Sequence, residues 1–345
     1  MPAGAGRVIQ AGTGRWRFLD PRSHGTLPTA LPHELPQGRI LTPSSPSLAR
    51  RAPVVPHDDE VPPASRTLPL DVTEEVRVEA AVRFLTSRTE APPRIGLILG
   101  TGLGGVAAGM TEVSRTPYGE IPYFPRSTAL SHAGEWLTGR WENLPVAVMS
   151  GRFHLYEGYS LEEITRPVRV MAALGVETLI VTNAAGGLAS GLTVGDLLLL
   201  EDHINFTTQF PVAAAGEAPL LPCRASAAYD PELRQLVLAA AEREGLAVKS
   251  GTYIGVTGPN YETRAEYRFF RQIADVVGMS TVPEALVAWR CGLRVLGLST
   301  VTNVCDPDHL GVTSGEEVAA AARSAERRIR TLLNATMRDI ANLSR

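Results

Sequence analysis

Apolar, strand-like runs alternate with amphipathic helical stretches over roughly 250 residues, and that alternation narrows the possible folds more than any single motif. Residues 95–99, 146–149, 178–181, 197–200 and 295–301 read as short buried strands. Helical periodicity covers residues 161–174, 231–244, 262–276, 283–291 and 315–342. Strand, helix and strand in repetition predict an α/β domain whose sheet is mostly parallel. A length of 345 residues could hold one large domain or two small ones. No second break in composition and no internal repeat appears, so residues 71–345 are expected to form one domain.

Order is expected to begin where Asp71-Val72-Thr73-Glu74 shows capping-box spacing, ahead of Val78, Ala81, Val82 and Leu85 on one helical face. Pro92-Pro93 ends that helix. The preceding residues, 1–70, include twelve prolines among Gly, Ser, Thr and Arg, with no apolar period. Such a segment buries too little to offset its ordering entropy, so a disordered Pro-rich extension is predicted. It is rich in Arg and poor in acids up to His57, as a transit peptide would be, but the prolines break the amphipathic helix such a peptide needs.

Charge and cysteines exclude several classes. A net charge of −3 with 20% charged residues gives no basic surface for nucleic acid. The longest apolar runs, such as residues 194–200, cannot span a bilayer. Cys223, Cys291 and Cys305 are odd in number and far apart, which suits neither a zinc site nor a disulfide framework and predicts a reducing cytoplasm. Lys249 is the only lysine, which we read as a coding bias.

Chemistry-bearing residues gather at the predicted strand ends. Gly100-Thr101-Gly102-Leu103-Gly104-Gly105 lacks dinucleotide-binding spacing, and no acidic residue closing a second strand is evident about twenty positions on. It can offer backbone amides and the Thr101 hydroxyl to an anion, or be a tight turn only. His132 lies in a small-residue loop. In Gly151-Arg152-Phe153-His154-Leu155-Tyr156-Glu157-Gly158-Tyr159, an extended backbone would put Arg152, His154 and Tyr156 on one face, suited to an oxyanion and a hydroxylated neighbour. A polar strand end would read the same way. Thr182-Asn183-Ala184-Ala185-Gly186-Gly187 lets a ligand approach backbone amides closely. Gly258-Pro259-Asn260-Tyr261-Glu262-Thr263 supplies an aromatic face and a carboxylate at a helix start, and Asn303 offers an amide at a strand end. Val277-Gly278-Met279-Ser280-Thr281-Val282-Pro283-Glu284-Ala285 reads as a strand turning into a helix. Ser280 or Thr281 would cap it, with Pro283 and Glu284 in the first turn. Free N–H groups at such a turn can hold an anion.

These motifs resemble the trimeric purine nucleoside phosphorylase family, which cleaves 6-oxopurine nucleosides with phosphate. The resemblance covers residues 94–320 and rests on LGTGLGG, GRFHLYEGY, TNAAGGL, GPNYET and GMSTVPE in the family's order. It implies one domain with a central mixed, twisted β-sheet flanked by helices. It also implies a cytoplasmic homotrimer without cofactor or metal, for which inorganic phosphate is a co-substrate. Thr101, Arg152, His154, the Ala184 amide and Ser280 would hold phosphate, with His132 close by on a loop. Tyr156 and Met279 would pack on the ribose, and Tyr261 would stack on the base against Val277. Glu262 and Asn303 would hydrogen-bond the purine and, with His132, form the catalytic set. Bound phosphate would attack C1′ as the base leaves with its charge spread over N7 and O6.

Asn303 and Ser280 favour a 6-oxopurine over the methylthioadenosine-type relatives, which carry Asp and Thr at these positions. Two features depart from the family. Thr313-Ser314-Gly315-Glu316-Glu317-Val318 lacks the histidine that contacts the ribose 5′-hydroxyl, leaving Ser314 or His309 as substitutes. The segment 205–230 differs from the usual loop that lends an aromatic to the neighbouring subunit, with Phe206 and Phe210 the candidates. A methylthioadenosine-type phosphorylase and a nucleoside-binding homologue without turnover are the alternatives. A nucleoside hydrolase would need a metal-binding Asp cluster that the sequence lacks.

Overall fold

Strands that bury both faces need mostly apolar side chains, and residues 95–99, 178–181 and 197–200, with Thr178 their one polar member, meet that demand in a sheet covered on both sides. The computed structural model describes residues 8–9, 17–18, 72–129, 132–209, 228–309 and 311–343. The chain divides into two units, Met1–Ser65 and Arg66–Arg345. In the first, β1 (Val8–Ile9) pairs antiparallel with β2 (Arg17–Phe18). The rest of the extension expected to be disordered lies outside the described residues.

The second unit holds α1 (Glu74–Thr86), β3 (Ile95–Leu99), β4 (Thr111–Pro117), β5 (Glu135–Trp141), β6 (Leu144–Ser150), α2 (Leu161–Ala173), β7 (Thr178–Gly187) and β8 (Leu197–Asn205). After these come α3 (Pro231–Arg243), β9 (Val248–Gly255), α4 (Arg264–Phe270), β10 (Val276–Gly278), α5 (Val282–Arg290), β11 (Arg294–Val304) and α6 (Gly315–Leu343). The strands join one sheet in the order β10-β9-β8-β11-β7-β3-β6-β5-β4. β11, β7, β3 and β6 run parallel, whereas β8 is antiparallel to β11, and β5 is antiparallel to β6 and β4. The sheet is therefore mixed, as the family resemblance implies, and less parallel than strand–helix alternation alone predicts. β10 also pairs antiparallel with the end of β7, closing β7, β11, β8, β9 and β10 into a ring.

Period-two alternation sends successive side chains to opposite faces. Ile98, Leu179, Val181, Leu198 and Leu200 pack with α1, α2 and α5 through Leu85, Val168 and Ala285. Leu97, Leu99, Ile180, Leu197 and Leu199 pack with α3 and α6 through Val237, Ala322 and Ile329. Each such buried side chain contributes about 1.5–3 kcal/mol relative to its exposed state.

Local signals set the helix starts. Ser160 caps α2 reciprocally with Glu163, and Asp230 accepts from the amides of Glu232 and Leu233 ahead of α3. α1 starts later than the sequence predicts: its N-cap is Thr73, with no side-chain cap bond, and Asp71 lies outside the described residues. The helix expected over 262–276 is only the short α4, capped by Thr263, because the chain must turn and enter β10 at Val276.

Candidate active site

Parallel strands deliver their carboxyl ends to one edge, and ligands of α/β sheets collect there. β3 delivers Gly100-Thr101, β6 delivers Arg152, β7 ends in Asn183 to Gly186, and β11 ends in Thr302-Asn303. β10 and the turn after it add Val277, Met279 and Ser280. Together they line a cleft with roughly 900 Å³ of empty space, its open mouth included. Thr101, Arg152, His154, Tyr156, Ala184, Tyr261, Glu262, Val277, Met279, Ser280 and Asn303 all line it. His132 stands directly behind that lining, its Nε2 3.2 Å from the Thr101 hydroxyl.

One end of the cleft is built for an anion. Arg152 is buried, and its Nη1 donates to the Thr281 hydroxyl and to Glu284 Oε1, each at 3.2 Å, while Nη2 donates to the Thr182 carbonyl. Its Nε is buried without a partner. His154 Nδ1 lies 2.8 Å from Glu157 Oε1, which leaves the other ring nitrogen unengaged by that pair. Burial disfavours the Glu157 carboxylate, but hydrogen bonds from His154 and from the amide and hydroxyl of Thr128 outweigh it and bring the pKa down to about 2. Burial, and next the neighbouring His154, lower His132 to about 4, so its ring is neutral near pH 7. The rings of His132, His154 and Tyr156 form one stack, with centroids 5.4 Å and 4.6 Å apart. The backbone is not the continuous strand the alternation predicts. Residues Leu155–Glu157 form a 3₁₀ turn, and Tyr156 reaches the cleft by folding back over His154.

The opposite end suits a flat, partly polar ring. Half-exposed Tyr261 and buried Val277 flank it, and Glu262 and Asn303 provide the polar groups. Burial raises the Glu262 pKa, and its own backbone amide and the neighbouring Tyr267 hydroxyl partly offset that. Thr302 Oγ1 lies 3.3 Å from both Asn303 Oδ1 and the Ala185 carbonyl and shares its one hydrogen between them, while Asn303 Nδ2 donates to Cys305 Sγ at 3.5 Å. Burial pushes the Cys305 thiol up to about 11, which keeps it protonated.

The turn before α5 departs from the expected cap. Thr281 is the N-cap residue, fully buried at φ 73°, and its hydroxyl makes no cap bond. A β-branched residue at positive φ costs on the order of 1–3 kcal/mol. Its hydroxyl accepts from Arg152 and from Asn183 Nδ2 instead. Sequence patterns missed Thr281, Glu284, Tyr267 and Cys305 as parts of the site. Thr281 and Glu284 look like helix-start residues, while Tyr267 and Cys305 lie in an amphipathic helix and a loop without a motif. Of the two candidates for the absent histidine, Ser314 caps α6 through Glu317, and His309 is exposed beside Asp306. Neither lines the cleft, whereas Gly315 and Val318 do. Phe206 is half-exposed against Phe269 and Phe270, and Phe210 lies outside the described residues.

Residues 94–338 match the model of a family described as the phosphorylase superfamily. Purine nucleoside phosphorylase 1 of Bacillus subtilis is 48% identical over 231 residues, covering 66% of this chain and 85% of that protein. The Mus musculus purine nucleoside phosphorylase is 42% identical over 273 residues, 76% of this chain and 94% of that one. The crystal structure of a Schistosoma purine nucleoside phosphorylase with hypoxanthine superposes with a TM-score of 0.72 at 36% identity, covering 77% of this chain and 98% of that one.

Proposed function

The chain belongs to the phosphorylase superfamily, among its purine nucleoside phosphorylases, and on that premise we propose that it is a pentosyltransferase that phosphorolyses 6-oxopurine nucleosides such as inosine and guanosine. The observation that carries this reading is the single cleft with an anion end and an aromatic, amide-and-carboxylate end. In the reaction, the C1′–N9 bond breaks and its electron pair goes to the purine. A phosphate oxygen forms the new bond at C1′, and the proton carried by the hydrogen phosphate passes to the purine anion, giving neutral free base and pentose 1-phosphate dianion. Atoms and charge balance without a cofactor, so phosphate is a co-substrate.

Arg152, His154, Thr101, Ser280 and the Ala184 amide would orient phosphate, with neutral His132 supporting Thr101. Tyr156 and Met279 would shape the ribose site. Charge develops on the leaving base, where Asn303 can donate to O6 and accept from N7–H, and Glu262 can accept from N1–H. This is catalysis by positioning and electrostatics, and loss of one such contact typically costs on the order of 10²–10³ in rate. Asn303 supports the 6-oxo preference, since an amide can donate to a carbonyl oxygen as a carboxylate cannot. The hypoxanthine bound in the Schistosoma neighbour is of the same base class.

A homotrimer is part of this proposal, supported by the half-exposed Phe206 and Phe269 that a neighbouring subunit would cover. So is a cytoplasmic location. Among the described residues, no helix is long and apolar enough to cross a membrane.

The test is phosphate-dependent release of hypoxanthine from inosine, with adenosine and methylthioadenosine as controls. Turnover of inosine at least tenfold faster than of either control is expected. Preference for methylthioadenosine would overturn the 6-oxopurine assignment, and nucleoside binding with no turnover would overturn the enzyme.

A further inference from the structure

The groups expected to face phosphate do not hold themselves in place. Arg152 Nη1 is shared between Thr281 and Glu284, and Nη2 is taken by the Thr182 carbonyl. Of the five guanidinium N–H groups these bonds use three; the second Nη2–H and the Nε–H remain, and Nε is buried with no partner beside the cleft. Glu284 is itself buried, and its Oε1 binds Arg152. The Thr281 hydroxyl accepts from Arg152 at 3.2 Å and from Asn183 Nδ2 at 2.9 Å. A hydroxyl has two acceptor lone pairs and one hydrogen. With both acceptor positions used, that hydrogen can go only outward, and the Ser280 hydroxyl lies 3.3 Å away. Ser280 Oγ then accepts from Thr281, which leaves its own O–H to donate, either to the neighbouring Tyr253 hydroxyl or, when an oxyanion enters, into the cleft that Ser280 lines.

We propose that Thr281 and Glu284 are positioning residues for the anion end: together they fix which N–H of Arg152 and which hydroxyl hydrogen of Ser280 face an incoming oxyanion. The left-handed backbone at Thr281 belongs to this arrangement. A residue capping α5 in the usual extended conformation would send its hydroxyl to the helix amides, whereas φ 73° turns it toward Arg152 and Asn183. The Glu284 carboxylate offsets the guanidinium charge, so the subsite selects its anion by directed donors more than by net positive charge.

This inference rests on the phosphorolysis reading, and the test separates the two. Thr281→Val keeps the shape and removes the hydroxyl, Thr281→Ser restores it, and Glu284→Gln keeps an acceptor but removes the charge. Steady-state kinetics of the full chain, with phosphate and inosine varied separately, should show KM for phosphate rising at least tenfold in Thr281→Val. KM for inosine should stay within about twofold. Thr281→Ser should recover to within about threefold of wild type, and Glu284→Gln should fall between. Equal movement of both KM values, or no recovery with Ser, would overturn the proposal while leaving the activity intact. A wild-type protein without phosphate dependence would overturn both. Should Glu284→Gln fail to fold, the Thr281 pair decides alone.

Discussion

His132 shows how a site of this kind becomes acid-sensitive at a single residue. Burial, and next the neighbouring His154, place its pKa near 4 instead of the ordinary 6.5. Between those values the unfolded chain binds a proton there that the folded chain does not, so stability rises with pH across this window and falls as pH drops from 6.5 toward 4. Glu157, depressed to about 2, acts in the same direction lower down, its contribution being lost as pH falls below the ordinary 4.5. Thermal melts of wild type and His132→Gln between pH 7 and pH 4 should show a shallower loss in the variant. Parallel curves would show that His132 titrates normally. At this scale the sequence was legible wherever a chemical group stood at a strand end, as with Thr101, Arg152 and Asn303. It was not legible where one residue's role depends on a distant partner. Nothing local in Thr281 or Glu284 announces Arg152, which lies more than a hundred positions earlier in the chain.

At the scale of elements, the purine end of the cleft depends on how closely β7, β10 and β11 come together. Gly186 pairs with Val277 on one side and Asn303 on the other. A Cβ at Gly186 would sit 2.4 Å from Cys305 Sγ and 3.3 Å from Asn303 Nδ2. The first distance is impossible without movement, and the atoms that must move are those that hold the Asn303 amide. Gly186→Ala is therefore expected to lower kcat/KM for inosine at least tenfold and to destabilise the fold by about 1–3 kcal/mol. Kinetics together with urea denaturation would check both, and unchanged kcat/KM would mean that Asn303 is not held through Cys305. The elements themselves were unevenly legible. Buried strands such as β3 and β7 stand out as apolar runs. β4 is almost wholly exposed and shows no apolar alternation, and β9 mixes Lys249, Ser250 and Gly251 into its first half. β10 has three residues, too few for a periodic signal, and its place follows from pairing with β7 and β9.

Across the whole molecule, the cleft is assembled from segments between Gly100 and Val318, so a ligand in it bridges the ends of β3, β6, β7, β10 and β11 and the start of α6. Strand–helix alternation made this α/β plan legible, including the edge where the site sits. The ring closed by β10, and the antiparallel β8, β5 and β4, depend on long-range pairing that no local pattern encodes. Ligand binding to such a site is coupled to global stability, because the unfolded chain keeps none of these segments together. A ligand at a hundredfold excess over its Kd adds about 2.7 kcal/mol, which for a domain of this size is a rise in Tm of roughly 5 °C. Phosphate alone and hypoxanthine alone should each raise Tm by amounts that saturate with concentration. Asn303→Ala should abolish most of the hypoxanthine shift and leave the phosphate shift within about 1–2 °C of wild type. Loss of both shifts in that variant would mean that the two ends of the cleft do not bind independently, and retention of both would place the base elsewhere than against Asn303.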